Sequence, residues 1–168
     1  MTQHKDVVVF VEIPGGSRNK YEFDPEIGGI VLDRRLFTSM SYPADYGFVE
    51  GTLGEDGDPI DALVLVGEPT FPGCRIRARP VGVFHMTDEK GPDEKVLFVP
   101  LKDTAWMRVH DIHDIPPEFR DEIEHFFQVY KTLEAAKKTA THGFGNRAEA
   151  VEIIRAGYER KQATEPAI

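Results

Sequence analysis

Cysteine is nearly absent: Cys74 stands alone among 168 residues, which excludes an internal disulfide and leads us to expect a reducing, cytoplasmic compartment. Long apolar runs are absent as well. Val7 to Val11 and Ala62 to Val66 fall far short of the ~20 residues of a membrane span. The first of them ends at Glu12 and has no cleavage site of small residues, so no signal peptide is expected. Basic charge is in short supply: Lys and Arg total 20 against 29 Asp and Glu, a formal net charge of −9. Sequence-independent nucleic-acid binding needs a basic face, so the balance argues against it. An anionic substrate stays open, because bound metal ions reverse the local sign. Neither G-x-x-x-x-G-K-[ST] nor G-x-G-x-x-G occurs, which removes two common nucleotide-binding loops. Repeats, low-complexity tracts and linkers are also missing.

What remains is the composition of one soluble globular domain over 1–168, 40% hydrophobic and 29% charged, long enough to bury its own core. The first two-thirds read as strands. Val7 to Ile13 ends at the turn Pro14-Gly15-Gly16; Lys20 to Asp24 alternates; Ile30 to Arg34 follows Gly28-Gly29. Ala62 to Val66, the Arg75-Arg77-Arg79 alternation with its wet face, Val81 to Met86 and Lys95 to Val99 complete the set. The last third reads as two helices. Phe119, Ile123, Phe126, Phe127 and Tyr130 recur at helical spacing from Pro117 to about Lys131. A second helix starts at Asn146, with Glu149 completing a capping-box pattern and Ala148, Val151, Ile154 and Tyr158 as its stripe. The tail from Gln162 reads as loose. Many short strands followed by helices predict a mainly β, α+β fold of the barrel or sandwich type.

The chemistry concentrates in Asp56-Gly57-Asp58-Pro59-Ile60-Asp61, three carboxylates on one short loop leading into an apolar strand. Such hard oxygen donors suit Mg²⁺, with Mn²⁺ as the alternative, since no His or Cys falls among them. An isolated D-G-D is more often a solvated turn. The loop is not an EF-hand, because Asp61 stands where that loop needs glycine. A second cluster, Asp88, Glu89 and Asp93, changes the balance, since two acidic clusters are what multi-metal phosphoryl transfer requires. Glu12 and Glu22 add carboxylates at the first two strands. Lys20, Arg34, Lys95 and Lys131 are interleaved cations of the kind that hold phosphate oxygens, although Lys20 and Glu22 alone would read as a surface ion pair. Tyr42, Tyr46 and Tyr130 offer neutral hydroxyls, against the commoner role of a half-buried ring.

A set of segments then occurs in a telling order: Glu12-Ile13-Pro14, Asn19-Lys20-Tyr21-Glu22, Leu32-Asp33-Arg34, Tyr42-Pro43-Ala44-Asp45-Tyr46-Gly47, the Asp56–Asp61 loop, Arg79-Pro80-Val81-Gly82, Met86-Thr87-Asp88-Glu89, Asp93-Glu94-Lys95 and His125-Phe126-Phe127-Gln128-Val129-Tyr130-Lys131. In these the chain resembles the soluble family I inorganic pyrophosphatases of bacteria, from about Val7 to about Ile154. The resemblance implies a five-stranded OB-like barrel flanked by two main C-terminal helices and hydrolysis of pyrophosphate to two phosphates by a site holding several Mg²⁺ ions. It implies Asp56, Asp61 and Asp93 as ligands of the first metals, and Glu12, Glu22, Asp88 and Asp93 as ligands of metals arriving with substrate. Asp58 is implied as the residue that orients or deprotonates the attacking water. Lys20, Arg34, Tyr46, Tyr130 and Lys131 are implied as phosphate-binding groups, with Tyr42, Glu89 and Lys95 in support. The resemblance also implies a homo-oligomer, the hexamer being common among bacterial members. Val129 stands where some of them place a second histidine beside the equivalent of His125. After Lys131 the chain departs from the pattern. Thr132 to Lys138 replaces an Asp followed by a Gly-Lys-Trp segment, and Phe144 stands near where a tryptophan is usual. The competing readings are an enzyme acting on another phosphoanhydride, an OB-like oligonucleotide-binding module and a catalytically dead metal sensor. The acidic balance opposes the second, and the complete motif set opposes the third.

Overall fold

The computed structural model describes residues 7–135 and 138–167. In chain order it contains β1 (Val7–Ile13), the hairpin β2 (Asn19–Asp24) and β3 (Gly29–Arg35), β4 (Asp45–Val49), β5 (Asp61–Val64), β6 (Arg75–Asp88), β7 (Gly91–Pro92) and β8 (Lys95–Pro100). These are followed by α1 (Pro117–Val129), β9 (Ala140–Gly145) and α2 (Arg147–Thr164). Strands β1, β4, β5, β8 and β6 close into a ring, because β6 pairs with β1 as well as with β8. All pairs in the ring are antiparallel except β5 with β8. The fold is mainly β with two helices, as the alternation of the sequence predicts.

The apolar runs of β5 and β8 are continuous because both faces of each strand are covered. Ala62 and Val64, with Val96 and Phe98, face a core beneath α2; Leu63, Leu97 and Val99 face a second core beneath α1. Helix α1 presents Ile123, Phe126 and Phe127 to its core, while Phe119, expected in the stripe, is exposed. Helix α2 begins at the expected capping box: Glu149 N donates to Asn146 Oδ1 (3.0 Å) and Asn146 N to Glu149 Oε2 (2.8 Å). Its buried face is Ala150, Ile154 and Gly157; Ala148 is exposed. The helix runs through Thr164, past the start expected for a loose tail.

Five further features differ from the sequence expectation. The Arg75–Arg79 and Val81–Met86 segments are one bent strand: Pro80 cannot donate to the ladder, and the register shift between Pro80 and Gly82 absorbs that defect. Arg79 is not on a wet face; it donates to the carbonyl oxygens of Trp106 (2.6 Å) and Val109 and ties the loop after β8 to the sheet. β4, which starts in the Tyr42–Gly47 motif and runs past it to Val49, and β9, in the segment after α1, form strands that their short, glycine-containing sequences do not announce. α1 ends at Val129, not Lys131.

Candidate active site

The ammonium of Lys95 organises the centre. Its side chain is only 2% exposed, at the start of β8 where the parallel partner Asp61 begins β5. Lys95 Nζ donates to Asp61 Oδ2 (2.7 Å), Asp93 Oδ1 (2.7 Å) and the Tyr46 hydroxyl (3.1 Å). Burial alone would lower the Lys95 pKa, but Asp61 and the groups around it hold it well above the ordinary value, so the charge persists at any working pH. Burial pushes Asp61 upward, opposed by Lys95 and reinforced by Asp93. Burial pushes Asp93 up, but Lys95, a hydrogen bond with Asp61 and the charge of Lys131 together hold it below its usual value. Around this triad the aromatic wall is built from the two elements on either side. Tyr46 on β4 lies 5.5 Å from the Tyr42 ring, and Tyr130, just past α1, lies 5.4 Å from Phe127. Burial raises the phenol pKa of Tyr42, Tyr46 and Tyr130, so all three stay neutral.

A second group of charges adjoins this one. Glu12, at the end of β1, accepts from Phe23 N (2.8 Å), yet burial pushes its carboxyl up to about 7, with Asp61 and Glu22 adding repulsion. On the β2–β3 hairpin, Lys20 Nζ donates to Glu22 (2.8 Å) and Asp33 (3.1 Å). Arg34 contacts Asp33 on one side and Glu134 Oε1 at 2.6 Å on the other. Lys131 lies 5.2 Å over the Tyr130 ring and helps hold Asp93 ionised. Asp88 ends β6 and accepts from Lys90 N (2.8 Å), while Glu89 is exposed in the same turn.

The acidic loop reaches β5 from a clip. Thr52 Oγ1 donates to Val49 O (2.7 Å) and accepts from Ile60 N (3.1 Å), so the loop is pinned where it leaves and re-enters the sheet. Within it Asp58 N donates to Asp56 Oδ1 (3.0 Å), and Gly57 turns at φ +89°, a region that favours glycine. Asp56 and Asp58 are exposed. The structure therefore brings Asp61, Asp93, Lys95, Tyr42, Tyr46 and Tyr130 together, sets Glu12, Glu22 and Lys20 beside them, and leaves Asp56 and Asp58 on the loop. Among the described residues no three His, Cys, Asp or Glu side chains close on a common point at metal-binding range. The donor chemistry nevertheless fits a hard cation: every acidic group here offers oxygen, and Glu12 is raised first by burial and then by repulsion from Asp61 and Glu22, both of which a cation would offset.

A family model described as inorganic pyrophosphatase matches residues 9–162. This chain belongs to the family I inorganic pyrophosphatases. It is 57% identical over 152 residues to an inorganic pyrophosphatase of Streptomyces coelicolor, covering 90% of this chain and 93% of the relative. Against that of Leifsonia xyli it is 54% identical over 155 residues, covering 92% and 95%. The crystal structure of the Thermus thermophilus inorganic pyrophosphatase superposes with a TM-score of 0.93 at 44% identity, covering 96% of this chain and 95% of that one. At that similarity the two chains share one fold, and the ring of five strands is its OB-like part.

Three residues that position the candidate site of this pyrophosphatase-family chain escape sequence reasoning. Asp45 is fully buried and accepts from Gly15 N (2.8 Å), Thr70 N (3.1 Å) and the Thr70 hydroxyl, locking the Tyr42–Tyr46 segment to the turn after β1. Thr52 is the clip described above. Glu134 covers Arg34. Asp45 lies inside the Tyr42–Gly47 motif, so its position was a usable signal; Thr52 and Glu134 gave none.

Proposed function

We propose that this chain hydrolyses inorganic pyrophosphate to two phosphates, using divalent cations, Mg²⁺ above all, with Asp58 as general base. The observation that carries the reading is the buried Asp61–Lys95–Asp93 triad beneath Tyr46, lying next to Glu12, Glu22 and Lys20 in a family-matched chain. Asp56, Asp61 and Asp93, then Glu12, Glu22 and Asp88, are the carboxylates that would hold the cations. When bound, these ions neutralise phosphate charge and acidify the attacking water.

The chain's own residues supply the rest. Asp58 accepts the proton of that water from a loop pinned at its base by Thr52. Lys20, Arg34 and Lys131 take the remaining phosphate oxygens and offset the charge that develops on the leaving group. Tyr46 already accepts from Lys95, so its own O–H is left to donate, and burial keeps it and Tyr130 neutral donors. Lys95 keeps Asp61 and Asp93 close despite their like charges. Tyr42 and Glu89 support this arrangement. A homo-oligomer belongs to this reading, and sedimentation would size it.

Phosphate release should be measured with pyrophosphate, ATP and tripolyphosphate, with Mg²⁺ and with a chelator. Fast, Mg²⁺-dependent release from pyrophosphate alone is expected. Faster release from another substrate would discard the assignment.

A further inference from the structure

Arg34 and Glu134 form an ion pair that uses both partners poorly. Glu134 Oε1 lies 2.6 Å from Arg34 Nη2, and the Glu134 side chain is only 8% exposed. Yet Arg34 Nε, Arg34 Nη2 and Glu134 Oε2 are buried without a properly aligned hydrogen bond. An arginine facing a carboxylate in the forked, two-bond geometry would satisfy Nε, Nη2 and both oxygens together. This pair instead leaves Nε and Oε2 without a hydrogen bond and Nη2 in a misaligned contact, each at a cost. A phosphate group, with three oxygens in tetrahedral array, can meet Nε and Nη2 at once. The carboxylate that now covers Arg34 is thus a weaker partner for it than the anion Arg34 is proposed to bind. Glu134 is also tied to the phosphate side of the site: its amide donates to Lys131 O (3.0 Å), on the turn that continues α1.

We propose that Glu134 is a built-in competitor for the phosphate site of Arg34: it occupies the guanidinium when no phosphate is bound and must leave it when phosphate enters, which weakens phosphate binding and favours product release. The inference rests on the assignment of Arg34 as a phosphate-binding group. Because Lys131 and Glu134 share one turn, exchange of anions at Arg34 also shifts the turn that carries Lys131.

Orthophosphate binding in the presence of Mg²⁺, measured by calorimetry, tests this directly. Glu134→Gln keeps the shape and removes the charge, so it should bind orthophosphate about tenfold more tightly than the parent. Unchanged or weaker binding would overturn the proposal. In an Arg34→Ala background the same substitution should change nothing; an equal gain there would assign the effect to overall charge and also overturn it. Hydrogen exchange on the unaltered protein makes the test independent of how the variant folds. Amides of 132–135 should exchange faster once orthophosphate is bound, and unchanged or slower exchange would count against displacement. Pyrophosphate turnover by the same preparation is scored separately. Its absence would remove the functional reading, whereas the competition stands or falls on the binding comparison alone.

Discussion

Single side chains in this site do work that their neighbours dictate. Asp58 is exposed on a pinned loop and is proposed to take a proton, so Asp58→Asn should leave the unfolding transition unchanged and lower kcat by ~10²-fold or more; near-normal turnover would remove it from that role. Lys95 has a different task. Removing it takes away the buried charge that pairs with both Asp61 and Asp93, so Lys95→Met should destabilise the metal-free protein by about 3–5 kcal/mol, read from urea unfolding in chelator, with part of the loss recovered on adding Mg²⁺. Glu12 makes a pH-dependent contribution whose sign follows from its raised pKa. Its carboxyl is pushed from an ordinary 4.5 to about 7 by burial, so the folded chain holds the proton where the unfolded chain has lost it. The resulting stabilisation is present below about pH 4.5 and is lost as the pH rises through about 7. In chelator at pH 8, Glu12→Gln should therefore be more stable than the parent, by at most about 3 kcal/mol, and the difference should vanish near pH 4. Equal stability at both pH values would show that Glu12 is solvated.

The elements hold these residues by backbone contact as much as by packing. β1 and β4 approach so closely at Gly47 that a methyl there would overlap the carbonyl oxygen of Phe10. Backbone cannot swing aside as a flexible side chain can, so Gly47→Ala should cost about 3 kcal/mol or more in thermal or urea unfolding. It should also weaken the site, because Tyr46 precedes Gly47 and is aimed by the same strand. Element periodicity is where the sequence was most readable. β1, the β2–β3 hairpin, β5, β8 and both helices follow from alternation, turn residues and the Asn146–Glu149 capping box. β4 and β9 were not readable, because each gains its strand character from ladder partners far along the chain and not from its own residues. Pro80 divided β6 on paper for a local reason, and the register shift beside it removed that reason in the fold.

In the molecule as a whole, charge and metal are coupled. The ring and hairpin gather carboxylates into one region of a chain with a net charge of −9, and a bound cation relieves that repulsion. Mg²⁺ at a hundredfold excess over its dissociation constant should add ~2.7 kcal/mol to stability at pH 8. The gain should be much smaller at pH 5, where Glu12 is protonated and protons compete with the metal. Thermal unfolding with and without Mg²⁺ at the two pH values measures this, and an equal shift at both would contradict it. The identities of the acidic and basic groups, the loop Asp56–Asp61 and the family were legible in linear order, because a motif is local chemistry at fixed spacing. Tertiary structure alone decided that Lys95 lies between Asp61 and Asp93, that Asp45 is a structural carboxylate and Thr52 a clip, and that Glu134 covers Arg34. Those facts depend on contacts between residues up to 100 positions apart, such as Arg34 with Glu134. Spacing along a chain carries no record of them until the ring of strands closes.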